Sequence, residues 1–114
     1  MISIIVPVRN EIDYIRDSLE SILNQDTNDE YEILIVDGMS TDGTREVIKE
    51  YQYKFSSIHL LDNPETIVPT GFNRALSISK GSIIIRIDGH VVIRPNYISQ
   101  CLKVLKNSGA DCVG

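Results

Sequence analysis

A carboxylate and an imidazole stand two residues apart in the second half of this sequence, at a spacing that suits a metal ion. Asp88 and His90 directly follow the mostly apolar run of residues 83–87 (IIIRI). Alternate side chains of an extended segment point to the same side, so this pair can share a divalent cation. One oxygen and one nitrogen ligand suit Mn²⁺, with Mg²⁺ as the alternative, and the remaining coordination positions can take a diphosphate. The simpler alternative is a surface turn in which Asp88 caps backbone amides and His90 is solvated.

Two further polar segments follow apolar runs earlier in the chain. Residues 9–11 follow the β-branched run of residues 2–8, and the loop of residues 37–44 follows the run of residues 31–36. The carboxyl ends of parallel strands lie at one edge of a sheet, which is where open α/β sheets bind ligands. We therefore expect these two segments to converge with Asp88 and His90 on one site.

Asp37 allows two interpretations on sequence alone. Its carboxylate can accept a hydrogen bond from a donor such as the N3–H group of uracil. It can equally cap the backbone amides of Ser40 or Thr41, because aspartates in loops often bond to amides a few residues ahead. Asp42, later in the same loop, is predicted to be a cap rather than a ligand group.

Arg86 and Arg74 are the cations expected nearest to an anionic ligand. Arg86 precedes Asp88 by two residues and lies on the same side of the strand, so it can pair with Asp88 or neutralise phosphate. Arg74 is predicted to lie on a solvated helix face. Glu11 can reach a ribose or a base, although a glutamate in the first turn of a helix needs no such role.

Strand and helix patterns alternate along the whole chain. Apolar runs predict strands over residues 2–8, 31–36, 58–61, 82–88 and 110–113, and the first and fourth of these are expected to be buried on both faces. Helical periodicity predicts helices over residues 11–23 (capped by Asn10), 45–55, 69–79 and 95–109. This alternation is typical of an α/β fold with a Rossmann-like, parallel, doubly wound sheet.

Length, charge and cysteine content limit the class of protein. The chain has 114 residues, enough for one small domain, and a net charge of −5 from 16 acidic and 11 basic residues. This charge argues against nucleic acid or an anionic membrane as the main partner. Cys101 and Cys112 are expected to pack as reduced thiols in a cytoplasmic protein. No apolar run approaches the about 18 residues needed to cross a membrane.

With these segments identified, the chain resembles the nucleotide-binding half of an inverting family-two glycosyltransferase of the GT-A fold. The resemblance rests on residues 4–11 (IIVPVRNE), residues 36–44 (VDGMSTDGT), Asn73 with Lys80-Gly81, and residues 88–90 (DGH). Residues 86–90 (RIDGH) look most like the succinoglycan-biosynthesis type of bacterial polysaccharide glucosyltransferase. Two positions depart from the family pattern, because Gly38 and His90 each stand where the family usually has an acid.

The resemblance implies a hexosyltransferase that uses a nucleotide-diphosphate sugar, most often linked to UDP, and a glycan or lipid-linked acceptor in polysaccharide biosynthesis. It implies that the residues after the first strand and Asp37 bind the nucleoside, and that the Asp88 region holds the diphosphate. Mn²⁺ or Mg²⁺ would be held there by Asp88 and His90. The implied donor-binding residues are Pro7, Val8, Arg9, Asn10, Glu11, Asp37, Arg86 and Asp88.

The resemblance also implies that the general base and the acceptor-binding half lie beyond Gly114. Because a strand is predicted to begin just before that residue, residues 1–114 are expected to be the donor-binding half of a longer protein. We expect a cytoplasmic location, at the inner face of the bacterial membrane if other parts of that protein reach it. This half alone is expected to bind donor weakly and to transfer little or no sugar.

Three other classes of protein are alternatives to this one. A non-catalytic nucleotide-sugar-binding module would have the same sequence features. A receiver-like signalling domain would need an acidic pair after the first strand and a late lysine, but this chain has Arg9-Asn10-Glu11 and no matching lysine. A nucleotide-sugar pyrophosphorylase would need a glycine-rich basic loop after the first strand, and none is present.

Overall fold

Strands and helices alternate in the computed structural model, which describes residues 1–65, 68–108 and 112–113. The predicted α/β class is confirmed. The elements in chain order are β1 (Ile2–Val8), α1 (Ile15–Leu23), β2 (Tyr31–Asp37), α2 (Thr44–Lys54), β3 (Ile58–Asp62), α3 (Val68–Ile78), β4 (Ile83–Arg86), α4 (Tyr97–Ser108) and β5 (Cys112–Val113).

The five strands form one parallel sheet in the order β3-β2-β1-β4-β5. The chain order reverses direction between β1 and β4, and this is the point at which doubly wound sheets bind their ligands. β1 is the central strand, with Ile5 opposite Leu34 of β2 on one side and Arg86 of β4 on the other. The topology therefore places the ends of β1, β2 and β4 side by side.

Helices cover the two faces of the sheet unequally. Ile4 and Val6 of β1 pack in the larger buried cluster, which includes residues of α1, α2 and α4. Ile5 of β1 faces the other way, into a smaller cluster with Leu34, Val36 and Ala75 of α3. Alternate residues of a strand point to opposite faces, so both faces of β1 are apolar. All seven β1 residues are buried, as predicted.

The prediction that the fourth strand is buried on both faces was wrong. Of the four residues of β4, Ile85 is buried, whereas Ile83, Ile84 and Arg86 are half-buried. Helix α3 lies over β1 and β2, so it leaves the same face of β4 partly open. The regular strand also ends at Arg86 rather than at Asp88. Hydrogen bonds to β1 nevertheless continue, from the amide of Ile87 to Ile5 O and from that of Gly89 to Pro7 O.

The predicted start of the first helix was also wrong. Helix α1 begins at Ile15 rather than at Glu11, and residues 11–14 form a turn closed by hydrogen bonds from the amides of Tyr14 and Ile15 to Glu11 O. Asn10 does not cap α1, because its side chain bonds to the neighbouring loop instead. Helix α4 begins at Tyr97, two residues later than expected. The predicted end of that helix at Gly109 lies outside the described residues.

Cys101 is a free, buried thiol, as expected of a reduced cysteine. Burial raises the pKa of this thiol, and a hydrogen bond with Tyr97 offsets part of the effect. The side chain of Cys112 lies outside the described part of the structure. Within the described residues, no helix is both long and apolar enough to cross a membrane.

A buried polar network ties three segments together at the amino-terminal edge of the sheet. Glu32 of β2 accepts hydrogen bonds from Ser3 Oγ of β1 at 2.6 Å and from the Lys80 amide at 2.7 Å. Ser3 Oγ in turn accepts the Gly81 amide at 2.8 Å. We call Ser3, Glu32, Lys80 and Gly81 the edge network. It joins β2, β1 and the turn that leads into β4.

We expect Glu32→Gln to lower the free energy of unfolding by about 2 kcal/mol at pH 7, because hydrogen bonds to a charged group are lost or weakened. Burial alone would raise the pKa of Glu32. The hydrogen bonds from Ser3 and Lys80 and the nearby charges of His59 and Lys80 instead hold this pKa below its ordinary value of 4.5. The carboxylate therefore stabilises the fold above that pH, and its contribution is lost as the pH falls through the lowered pKa.

Urea unfolding at a series of pH values tests this expectation. The stability difference between the wild type and Glu32→Gln should be largest at neutral pH and should shrink below pH 4.5. A difference that is constant from neutral to acid pH would show that the charge of Glu32 does not contribute.

Candidate functional site

A cavity of about 240 Å³ opens at the carboxyl ends of β1, β2 and β4. Seven of the predicted site residues line it, because the parallel register brings the three strand ends to one edge. Residues that follow β3 and begin α3 close its other side. The described residues that line it are Pro7, Val8, Arg9, Glu11, Val36, Gly38, Asn63, Gly71, Arg86, Asp88 and His90.

Asp88 is paired with Arg86 in this cavity. Both Nε and Nη2 of Arg86 lie 3.2 Å from the same oxygen, Oδ1 of Asp88. The two side chains are about equally exposed, at 42% and 41%. The sequence allowed Arg86 either to pair with Asp88 or to face a phosphate, and the pairing is what the structure contains.

His90 lies beside Glu11 on the same cavity wall. Nδ1 of His90 is 3.6 Å from Oε1 of Glu11, which is longer than a hydrogen bond. The imidazole is 54% exposed and the Glu11 side chain 23%. The turn at residues 11–14 therefore places Glu11 against the end of β4 rather than in the first turn of a helix.

Asp88 and His90 fit a divalent cation in donor type and in their shared cavity. The structure describes no cluster of three or more His, Cys, Asp or Glu side chains that could hold a metal ion. These two residues can thus supply only part of a coordination shell, so the other ligands would have to come from a bound molecule or from water. The hydrogen bonds to Asp88 both use Oδ1, which leaves Oδ2 for such a cation.

Asp37 lies beneath the cavity rather than in its lining. Its side chain is fully buried and accepts hydrogen bonds from the Ser40 amide at 3.2 Å and from Ser40 Oγ. The structure thus contains the capping arrangement, one of the two that the sequence allowed. Its neighbours Val36 and Gly38 do face the cavity. A role for Asp37 in reading a base stays a prediction.

Arg45 holds Asp37 in place, and the sequence interpretation missed it. Its guanidinium reaches Asp37 Oδ2 at 2.6 Å and Asp62 Oδ1 at 2.7 Å, so it joins the ends of β2 and β3. The hydrogen bonds to Asp62 and Asp37 raise the pKa of Arg45. The position of Arg45 in the first turn of a helix was an available signal. A cation there is unfavourable to the helix dipole, which suggests that its charge serves a contact outside the helix.

Asn10 connects the loop after β1 to the loop after β2. Its backbone is in the left-handed region (φ 52°), and its Oδ1 accepts the Thr41 amide at 2.8 Å. The Asn10 amide donates to Ser40 Oγ at 2.8 Å, and the Glu11 amide to Thr44 Oγ1 at 2.9 Å. Asn10 is therefore a loop-joining residue outside the cavity lining.

Asp42 is a cap, as predicted. Its carboxylate accepts the amide and the hydroxyl of Thr44 at the start of α2, and also the Ile12 amide at 3.2 Å. Desolvation opposes ionisation, but these hydrogen bonds outweigh it and lower the pKa of Asp42. The two loops thus form one rigid wall beside the cavity.

Four lining residues were not among the predicted site residues: Val36, Gly38, Asn63 and Gly71. Val36 and Gly38 flank the predicted Asp37, Asn63 follows β3, and Gly71 lies in α3. The position of Asn63 after a parallel strand was the available signal. Arg74 lies outside the cavity, where it is exposed and donates from Nη1 to Asp62 O at 2.6 Å.

Known proteins that resemble this chain match it over nearly its whole length. Succinoglycan biosynthesis protein ExoA of Rhizobium meliloti (strain 1021) is 33% identical over 112 residues, which are 96% of this chain and 34% of that protein. Residues 1–349 of TarS from S. aureus in complex with UDP-GlcNAc match at 25% identity with a TM-score of 0.80, over 96% of this chain and 32% of that chain. Mannosyltransferase PcManGT from Pyrobaculum calidifontis in complex with GDP-Man and Mn²⁺ matches at 27% identity with a TM-score of 0.83, over 91% of this chain and 32% of that chain.

These matches cover nearly all of this chain but only part of each relative. The chain spans 31% to 38% of the length of three curated relatives that it matches, and 12% to 18% of others. The sheet agrees with GT-A glycosyltransferase structures. The family model described as "Glycosyl transferase family 2" matches residues 3–114. The chain therefore belongs to glycosyl transferase family 2.

Proposed function

We propose that this chain is the donor-binding half of a glycosyltransferase that moves a hexose from a UDP-sugar to a glycan or lipid-linked acceptor in polysaccharide biosynthesis. The observation that carries the proposal is the cavity at the switch point of the sheet, which holds Arg86, Asp88 and His90 together. Family membership supports the reaction class, and it leaves the receiver-like and pyrophosphorylase alternatives without support.

Under the proposal, the parts of a nucleotide-sugar bind at separate places in the cavity. Pro7, Val8 and Glu11 contact the nucleoside, while the loop that Asn10 and Asp37 hold together forms the adjacent wall. Arg9 and Arg86 face the diphosphate, since an arginine fork matches phosphate oxygens. The complexes of TarS with UDP-GlcNAc and of PcManGT with GDP-Man support a nucleotide-sugar as the ligand.

Asp88 and His90 would hold a divalent cation, preferably Mn²⁺, at the diphosphate. The Mn²⁺ in the PcManGT complex supports this assignment. Such an ion offsets the charge that develops on the departing diphosphate. The chain's own contribution is to orient that diphosphate through Arg86 at a strand end that β1 holds in place, which lowers the cost of reorganisation during the reaction.

Transfer itself requires a general base and an acceptor site, which we assign to residues beyond Gly114. The length of the relatives supports this assignment. Residues 1–114 alone should bind donor weakly and transfer little or no sugar. We place the reaction in the cytoplasm, at the inner face of the membrane if the remaining parts of the protein reach it. Robust transfer by residues 1–114 would contradict the division into two halves.

Isothermal titration calorimetry with UDP, UDP-sugars and GDP, with and without Mn²⁺, tests the proposal. We expect UDP to bind only weakly without the ion, and Asp88→Ala to weaken ion-dependent binding at least about tenfold, since even the outer-shell partners of metal ligands are worth that much. Asp17→Ala is the matched control, because Asp17 is an exposed acid of α1 outside the cavity. Equal UDP binding with and without Mn²⁺ would remove Asp88 and His90 from this role.

A further inference from the structure

The geometry of the Arg86–Asp88 pair is that of a loosely held ion pair. A strong arginine–carboxylate pair uses both oxygens in parallel at about 2.7–2.9 Å. Here two guanidinium nitrogens share one oxygen at 3.2 Å, and both side chains are about two-fifths exposed. Solvent competes with such a pair, so its partners exchange readily.

A second arginine in the same chain shows what a fixed pair looks like. Arg45 contacts Asp37 at 2.6 Å and Asp62 at 2.7 Å, its own side chain is 19% exposed, and that of Asp37 is fully buried. The contrast indicates that Arg45 is structural, whereas Arg86 is free to change partners.

We propose that Arg86 is an exchangeable counter-ion for Asp88, so that the diphosphate and the divalent cation bind cooperatively. In the free protein the guanidinium of Arg86 is paired with the carboxylate of Asp88. When a diphosphate enters, Arg86 moves to the phosphate oxygens and releases Asp88 to the cation. This inference rests on the proposed function and adds to it a coupling between the two ligands.

The charges of the cavity explain why neither ligand suffices alone. The lining has two cations, Arg9 and Arg86, and two carboxylates, Glu11 and Asp88. A cation alone meets an Asp88 that is already neutralised, and it is repelled by the adjacent guanidinium. A diphosphate alone takes Arg86 and leaves Asp88 as an unpaired negative charge beside the phosphates. Only the two together restore the balance, which makes the coupling free energy between the two ligands favourable.

The surroundings leave Arg86 room to move. Arg86 and Asp88 line the donor cavity and also a second cavity of about 240 Å³, which Ile87, Val91, Ile93 and Tyr97 complete. The guanidinium thus lies between two open spaces rather than in a packed interior. Rotation of its side chain toward the donor cavity requires no change in β4, whose backbone is held by β1.

Arg86→Gln tests the inference because it is expected to strengthen the binding of Mn²⁺ and to weaken the binding of UDP. The dissociation constant of Mn²⁺ is measured in the absence of nucleotide, from the electron paramagnetic resonance signal of the free ion. We expect Arg86→Gln to bind Mn²⁺ about fivefold more tightly than the wild type, and to bind UDP at saturating Mn²⁺ at least about fivefold more weakly. The factor by which UDP improves Mn²⁺ binding should fall accordingly.

Arg16→Gln is the matched control, because Arg16 also forms an exposed pair with a carboxylate, Glu50, at 3.1 Å. It changes the net charge equally and should leave both constants unchanged. If Arg86→Gln weakens Mn²⁺ binding or leaves it unchanged, the counter-ion role is wrong. If the wild type binds UDP but Mn²⁺ binding is independent of UDP, this inference fails while donor binding stands. If the wild type binds neither ligand, the proposed function fails as well.

Discussion

Gly81→Ala is expected to lower the free energy of unfolding by about 3 kcal/mol, because the new methyl group has no space. An added Cβ would lie 2.5 Å from the backbone nitrogen of Ser3 and 2.8 Å from the carbonyl carbon of Ile2. Both atoms belong to the central strand β1, which is buried along its whole length and cannot move aside. The clash would also separate the Gly81 amide from Ser3 Oγ in the edge network.

Thermal and urea unfolding of Gly81→Ala and Ser82→Ala give the comparison. Ser82 is the next residue and its side chain is exposed, so its replacement by alanine should change stability by less than about 0.5 kcal/mol. Equal stability of the two variants would mean that the turn into β4 can shift without cost. In that case the edge network would not set the position of β4.

Arg45→Met is expected to destabilise the fold by about 3 kcal/mol, because it leaves a buried carboxylate without its cation. Asp37 is fully buried, and after the substitution Ser40 would be its only remaining donor among the described contacts. Methionine keeps most of the volume of the arginine stem, so the loss of stability reflects mainly the removal of the positive charge. The double variant Asp37→Asn with Arg45→Met should be more stable than Arg45→Met, because the unpaired charge is gone.

The control for this prediction is Arg16→Met. Arg16 and Glu50 form an ion pair whose side chains are 55% and 53% exposed, and such pairs contribute only about 0–1 kcal/mol. Urea unfolding at pH 7 gives the free energy of unfolding of the wild type, Arg45→Met, the double variant and Arg16→Met. If Arg45→Met is no less stable than Arg16→Met, the Asp37 carboxylate must find another partner, and Arg45 does not organise the ends of β2 and β3.

Local sequence was sufficient for the parts of the fold that depend on local pattern. The β-branched run of β1 predicted both the strand and its burial, because a strand apolar on both faces fits only inside a sheet. The parallel alternation then placed Asp88 and His90 at the same edge as Glu11. The convergence of these three residues was therefore predictable before any contact was known.

The features that the sequence did not reveal depend on how separate segments meet. The contact of Arg45 with Asp37 and Asp62 spans three elements, and no spacing rule relates these positions. Asn10 was expected to cap its own helix, but its side chain bonds to Thr41, 31 residues away. The half-exposure of β4 follows from the position of α3, which no property of β4 itself determines.

The placement of the edge network has a consequence for how such a protein can diversify. Ser3, Glu32 and Gly81 secure the sheet at one end, while Arg9, Glu11 and His90 line the cavity at the other. Substitutions at the cavity end are thus decoupled from the interactions that keep the strands in register. Under the proposed function, a lineage can change its donor preference at that end while inheriting the same framework, and a protein engineer can vary the same three positions with the framework left intact.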